Sequence, residues 1–349
     1  RLAGYFSSEV LVQVPIDLRD ELATLALVDS PTLGIITGLS SSPALLPLLR
    51  RLADDKLFVD RLSGPASAFR MHPMFRAFLL DWLIANLPDD KIRVLKRRTA
   101  ELLIAHDRPG EAVVLFHELE EWASLRRMIE HHSPHMMFSG QFERLGDWLA
   151  LLPAEQRDVD PMMRYWDGAR RLYTAPADAK RYFTQAYDAF DARDDANGLA
   201  LSWTGFVEAV FNEYAMLTQL DPWLDRFERR IEPLLEQLDT AVSGRVLVTR
   251  FMALVFRRPD DPALPALTSL VTRMAGEIGD PSVAGMIRCQ LFLRALWTGN
   301  LAAARIEQAA LRELANAPGA SALTRLFTLL NDATLKLFQG DLPNCERDV

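Results

Sequence analysis

The stretch that decides the fold runs Lys56-Leu-Phe-Val-Asp-Arg-Leu62, then Ser63-Gly-Pro-Ala-Ser67, then Ala68-Phe-Arg-Met-His72 and Pro73. Two short runs containing β-formers flank a Gly-Pro turn, which is the pattern of a β-hairpin. Pro73 then opens a helix through Phe75, Phe78, Leu79, Trp82 and Leu83 to Pro88, since proline is tolerated in a first helical turn. Working back towards Arg1, Leu18, Leu22, Leu25 and Leu27 recur at helical spacing, with Asp17 placed to cap that helix. Pro31-Thr32 opens a second short helix. Ser42-Pro43 opens a third, carrying Leu45, Leu46, Leu48, Leu49 and Leu52. Three helices, a hairpin and a helix make the layout of a winged-helix domain over residues 14–88, within a first domain assigned to 1–88.

From Lys91 onward no convincing strand appears. Turn-like starts followed by small residues and a helix occur at Gly110, Gly140, Ala177, Thr218, Pro259, Gly299 and Gly340, at spacings of 30, 37, 41, 41, 40 and 41 residues. Such a period fits two helices and two turns, slightly longer than a tetratricopeptide repeat. A unit of this size cannot bury its own apolar face, so the units must stack. The expected fold is therefore mainly α: a small winged helix at 1–88, then an α-solenoid of tetratricopeptide-like helix pairs in a right-handed superhelix at 89–349.

The composition of the 349 residues is that of an ordinary globular protein, 49% hydrophobic and 25% charged. No apolar run of membrane-spanning length and no secretory leader is visible. Two cysteines, Cys289 and Cys345, exclude a disulfide framework and favour a reducing cytoplasm. The chain starts at Arg1 without Met and breaks off at Val349 after a repeat-like turn, as a piece of a longer protein would. Net charge is -8, unlike the basic balance common in nucleic-acid binders. Residues 40–109 nevertheless carry 12 Lys/Arg against 8 Asp/Glu. Lys91, Arg93, Lys96, Arg97 and Arg98 form the densest basic run, expected as a solvated helix face, with docking on an acidic neighbouring domain, and after that on DNA, as the alternatives. The third helix argues against DNA reading: between Pro43 and Ala53 only Arg50 and Arg51 are cations, whereas a recognition helix presents several polar side chains to base edges.

His131, His132 and His135 suggest a metal at first sight, but the string straddles Ser133-Pro134, where Pro134 is expected to break the helix, so a structural or solvated role is preferred. There is no G-x-x-x-x-G-K-[ST] loop and no G-x-S-x-G elbow, and the carboxylate pairs Glu120-Glu121 and Asp194-Asp195 sit in polar stretches. No catalytic residue is assigned, and the chain itself is not expected to be an enzyme. Cys289, on an apolar helix, is expected in a core.

Several stretches resemble the winged-helix segment of bacterial STAND signal-transduction ATPases of the MalT-like type. They are Tyr5-Phe-Ser-Ser-Glu-Val-Leu11, Leu18-Arg-Asp-Glu-Leu-Ala-Thr-Leu-Ala26, Leu48-Leu-Arg-Arg-Leu52 and, most specifically, Phe69-Arg-Met-His-Pro-Met-Phe-Arg-Ala-Phe-Leu79. Leu95-Lys-Arg-Arg-Thr-Ala100, Arg108-Pro-Gly-Glu-Ala112, Trp148-Leu-Ala-Leu-Leu-Pro153 and Tyr165-Trp-Asp-Gly-Ala169 resemble the helical sensor arm that follows in that family. The resemblance implies an ATPase core before the winged helix and a DNA-binding output domain after the arm, of LuxR or SARP type. ATP and ADP would bind in the full-length protein, and no cofactor in this stretch. It also implies that His72, in the motif whose His touches the β-phosphate of ADP, senses nucleotide, with Arg70 beside it. Met71-His72 matches the first two motif positions and Pro73 departs from the third.

Aromatic residues concentrate between 165 and 214, interleaved with polar ones. Tyr and Trp suit stacking on flat or sugar-like ligands as well as packing between repeats. Tyr165, Trp166, Arg170, Trp203, Glu208, Asn212 and Tyr214 are the candidate effector surface, for a small molecule or a protein, and plain inter-repeat packing is the alternative. The expected function is the effector-sensing, autoinhibitory segment of a cytoplasmic STAND-type transcription regulator, relieved from its ADP-bound state by an inducer and self-associating on activation. It would touch neither nucleic acid nor membrane itself. The alternative is a protein-interaction scaffold with no small effector.

Overall fold

The computed structural model describes residues 10–62, 67–214 and 216–343. They fall into two compact units, Arg1–Met128 and Ile129–Val349. In the first, α1 (Ile16–Leu25), α2 (Leu33–Leu39) and α3 (Leu45–Asp54) precede the antiparallel pair β1 (Val59–Leu62) and β2 (Ala68–Met71), and α4 (Pro73–Asn86) follows. The register runs from Val59↔Met71 to Leu62↔Ala68. Most of the expected turn, residues 63–66, lies outside the described residues, as does the Tyr5–Glu9 part of the first family-like stretch. The segment before α2 adds a short third edge: Phe69 N donates to Pro31 O at 3.0 Å and Leu33 N to Ser67 O at 3.2 Å. Leu22, Leu25, Ile35, Leu49, Leu52, Phe69, Phe75 and Leu79 are all at most 2% exposed and form the core. Pro15, not Asp17, holds the cap position of α1; Asp17 falls one residue inside the first turn, where it meets the positive end of the helix dipole. Arg76, from the most specific family-like stretch, donates from Nε to Ala26 O at 2.8 Å and ties α4 to the end of α1.

α5 (Asp89–Ala105) and α6 (Pro109–Glu118) belong to the same compact unit, although the change of architecture expected at 88/89 precedes them. The basic run explains why. Lys91 pairs with Asp20 at 3.0 Å, Arg98 donates to Gly38 O at 2.6 Å, Lys96 pairs with Glu118 at 2.7 Å, and Arg97 pairs with Glu121. Arg93 donates to Leu119 O at 2.9 Å. Lys91, Arg93, Arg97 and Arg98 are exposed and Lys96 is half-buried, so the run is a solvated face of α5 whose cations pair with carboxylates and carbonyls of the same unit. Glycine brings α2 close to α5: a Cβ on Gly34 would lie 2.4 Å from His106 Cε1.

α7 (Trp122–Phe138) runs straight through Pro134, contrary to the expected break. Ser133 Oγ donates to Ile129 O at 2.6 Å and Ser139 N to His135 O at 2.9 Å, so the helix is held on both sides of the missing N–H. His131 and His132 meet edge to face at 4.9 Å, and His132 lies against Trp148. Among the described residues no group of three or more His, Cys, Asp or Glu side chains is placed to hold a metal ion.

The second unit is built from consecutive packed helices: α8 (Phe142–Ala150), α9 (Ala154–Val159), α10 (Pro161–Ala169), α11 (Pro176–Asp191), α12 (Ala196–Asn212), α13 (Asp221–Arg226), α14 (Thr240–Arg257), α15 (Leu264–Glu277), α16 (Pro281–Trp297), α17 (Leu301–Asn316) and α18 (Ala322–Phe338). No strand follows β2 among the described residues, so the chain is mainly α, helix pairs after a winged helix, as expected. Asp160, Asp195, Asp280, Asn300 and Ser321 each accept a backbone N–H of the helix they open. The repeat shows in a ladder of rings at helix C-termini. Phe211 contacts Phe256 at 5.2 Å, Phe256 contacts Trp297 at 5.6 Å, and Trp297 contacts Phe338 at 6.3 Å. Gly299 and Gly340, after α16 and α18, have φ of 72° and 77°, where L side chains are strained. The unit expected to begin at Thr218 is irregular instead: α13 passes into a widened turn at Phe227–Ile231 and a tight one at Glu232–Gln237. Pro233 explains this, because it cannot donate into a continuing α-helix. No helix among the described residues is long and apolar enough to cross a membrane.

Candidate functional site

His72 stands where β2 ends and α4 begins. Its Nδ1 accepts the Met74 N–H at 3.3 Å, so His72 itself caps α4. That contact assigns the imidazole proton to Nε2 and leaves an exposed donor. Proline at position 73 thus leaves α4 with a cap. Proline supplies the fixed φ of the first turn, and the imidazole supplies the acceptor. His72 N also donates to Phe58 O at 2.8 Å, and the two rings meet at 5.9 Å. Phe58 holds φ of 59°, an unusual backbone for a bulky residue, and its ring lies against Phe75. Arg70 faces Asp60 across the hairpin at 3.7 Å, with both side chains more than half exposed.

The seven candidates in the second unit separate. Trp203 is not on any surface: it is 0% exposed, its Nε1 donates to Trp223 O at 2.7 Å, and its ring packs on Phe227. Tyr165 is likewise buried, at 1% exposure, because α10 turns it towards Phe183. Trp166 packs on Tyr165, and among the described residues its buried indole N–H has no hydrogen-bond partner. Arg170 is bound to Asp167 of its own helix at 2.9 Å. Asn212 turns back to donate to Glu208 O at 2.8 Å. Tyr214 alone is open, 92% exposed at φ of 52° just past α12.

Two of the seven, Tyr165 and Glu208, converge on Arg245 of α14, a residue absent from the candidates. Arg245 Nη1 donates to Tyr165 Oη at 2.8 Å, and Nε and Nη2 donate to the two Glu208 oxygens at 3.2 and 2.7 Å. This fork-to-carboxylate geometry joins α10, α12 and α14. Burial pushes the Tyr165 phenol above its ordinary range against the pull of Arg245. Burial, reinforced by the Glu208 charge, pushes Tyr173 up to about 12. The cluster holds neutral phenols beside a fixed ion pair, an arrangement suited to locking helices together rather than to proton transfer. A lone cation in the apolar run Val242–Val248 was the available signal for Arg245.

No curated protein matches the chain. Residues 7–91 match the family model of the MalT winged helix domain, ending within the first turn of α5. The first unit thus carries a MalT-like winged helix, a domain that points to a transcription regulator of MalT type.

Proposed function

We propose that the chain is the effector-sensing and autoinhibitory segment of a STAND-type transcription regulator. In this reading the winged helix closes over the ADP-bound form of an ATPase core, with the His72 Nε2–H donating to the β-phosphate and Arg70 beside it. An effector docking on the helical arm around Trp166, Arg170 and Tyr214 stabilises an open form by its higher affinity for that form. ATP then replaces ADP and the opened protein self-associates. Hydrolysis belongs to the core and DNA binding to an output domain, in the cytoplasm. The observation that carries the reading is the MalT-like match over residues 7–91 together with the exposed imidazole within it that caps α4 through Nδ1. The left-handed backbone of Phe58 beside His72 supports it, because strain concentrates at switch regions. The test is nucleotide retention by the protein that joins this segment to its core. His72→Ala should release ADP faster than wild type, and equal retention refutes the role of His72.

A scaffold without a small effector is the second reading, favoured by the burial of Tyr165 and Trp203. A thermal-shift screen of the chain against metabolites separates the two. One compound raising the melting point with concentration, lost in Trp166→Ala, supports sensing. A screen without any such compound supports the scaffold.

A further inference from the structure

A cleft of about 420 Å³ opens on the second unit where α9, α10, the turn after α10, and α11 meet. Four arginines face it, Arg157, Arg164, Arg171 and Arg181, against two carboxylates, Asp158 and Asp167. The balance is positive by two charges, in a chain whose net charge is -8. Asp167 is 5% exposed and already shared by Arg170 and Arg171. Arg181 pairs with the exposed Asp178, at 3.7 Å. Tyr182 steadies two of the cations, with the Arg171 and Arg181 guanidinium carbons 4.6 and 5.3 Å from its ring centre.

Arg157 and Arg164 are the informative pair. Both are half-buried, on successive helices, and among the described residues neither guanidinium has a hydrogen bond or an ion pair. Elsewhere this chain binds half-buried arginines to carboxylates, as at Arg257–Asp221 and Arg288–Glu307. Two guanidiniums partly removed from water without an acceptor lose hydration and gain nothing from the protein. Their planar forks match the oxygens of a phosphate, each able to hold it through two parallel N–H donors. We propose that this cleft binds a small phosphorylated metabolite, its phosphate seated on Arg157 and Arg164 and closed over by Arg171. A phosphate concentrates two charges and several acceptors on one group, which answers the surplus of two cations, whereas one carboxylate answers half of it. The volume fits a small molecule. Binding here stands independently of the regulatory reading, because it is measured on the chain alone.

The experiment is calorimetric titration of the chain with pyrophosphate at constant ionic strength, with succinate as the carboxylate comparison. Saturable one-to-one binding of pyrophosphate is expected, weakened at least about tenfold by Arg157→Gln and by Arg164→Gln. Binding should be unchanged by Arg305→Gln, an exposed arginine on α17. Neither cleft substitution removes a hydrogen bond or an ion pair among the described residues, so both variants should fold, which a cooperative melt without ligand, close to that of the wild type, checks. The absence of saturable binding overturns the site. Equal weakening by Arg305→Gln reduces it to diffuse electrostatics and overturns it too. Succinate binding as tightly as pyrophosphate overturns the assignment to phosphate.

Discussion

Tyr165→Phe tests whether the three-helix lock at Arg245 stabilises the second unit. The phenol is 1% exposed and accepts from Arg245 Nη1 at 2.8 Å, so the substitution removes one hydrogen bond to a charged donor and leaves the ring packing on Phe183 intact. Hydrogen bonds of this kind contribute about 1.5–3 kcal/mol. The lower end applies, because the Arg245 side chain keeps 39% of its surface open to water and retains both Glu208 oxygens. A loss of about 1.5 kcal/mol in a unit of this size lowers its melting temperature by roughly 3–6 °C. The assay is urea and thermal unfolding of the chain followed by tryptophan fluorescence. Each transition is fitted by itself, since two compact units need not unfold together. Arg245→Met and the double variant complete a cycle. A coupling energy indistinguishable from zero, or a loss under about 0.5 kcal/mol for Tyr165→Phe, refutes the reasoning.

Burial raises Tyr173 and Tyr187 to about 12, so the unfolded chain gives up these protons near pH 10 while the folded chain keeps them. Their contribution is complete below about pH 10 and falls by up to about 1.4 kcal/mol per pH unit for each group between pH 10 and 12. Alkaline unfolding curves of wild type against Tyr173→Phe/Tyr187→Phe should show the decline flattened in the variant. Gly205→Val places a Cβ 2.4 Å from the buried Phe183 ring and should cost about 1–3 kcal/mol by overpacking, read as a lower urea midpoint. Tyr214→Gly should raise the melting point, since it relieves about 1 kcal/mol of left-handed backbone strain and removes a ring that is 92% exposed.

The winged helix was legible because its signals are local and agree with one another. Pro73 starts α4, the β-formers flank a turn, and the leucines of α3 share one buried face. The repeat period was legible from Gly299 and Gly340, where the chain needs a left-handed residue. Pro134 misled, because a proline can sit inside a helix whose turns on either side stay bonded, as Ser133 to Ile129 O and Ser139 N to His135 O do here. Trp203 misled for a different reason: its polar tip suggests a surface, but here it serves a buried carbonyl of Trp223. Arg245 was missed because no local pattern announces it. Its meaning comes from Tyr165 and Glu208, 80 and 37 residues away. The basic run at Lys91–Arg98 carried the right chemistry, but its acidic partners, Asp20, Glu118 and Glu121, lie in the same unit.

The central proposal is that the His72 imidazole reports nucleotide, and it separates from the capping role in one variant. Asparagine is a strong N-cap, so His72→Asn should keep the Met74 contact and change stability by no more than a few tenths of a kcal/mol. It lacks an Nε2 donor at the same reach. The measurement is the rate of ADP release from a protein that joins this segment to the ATPase core proposed for it. The account predicts release at least about tenfold faster in His72→Asn at unchanged melting temperature, the loss of a hydrogen bond to a charged acceptor. Release at the wild-type rate, with the cap intact, contradicts it.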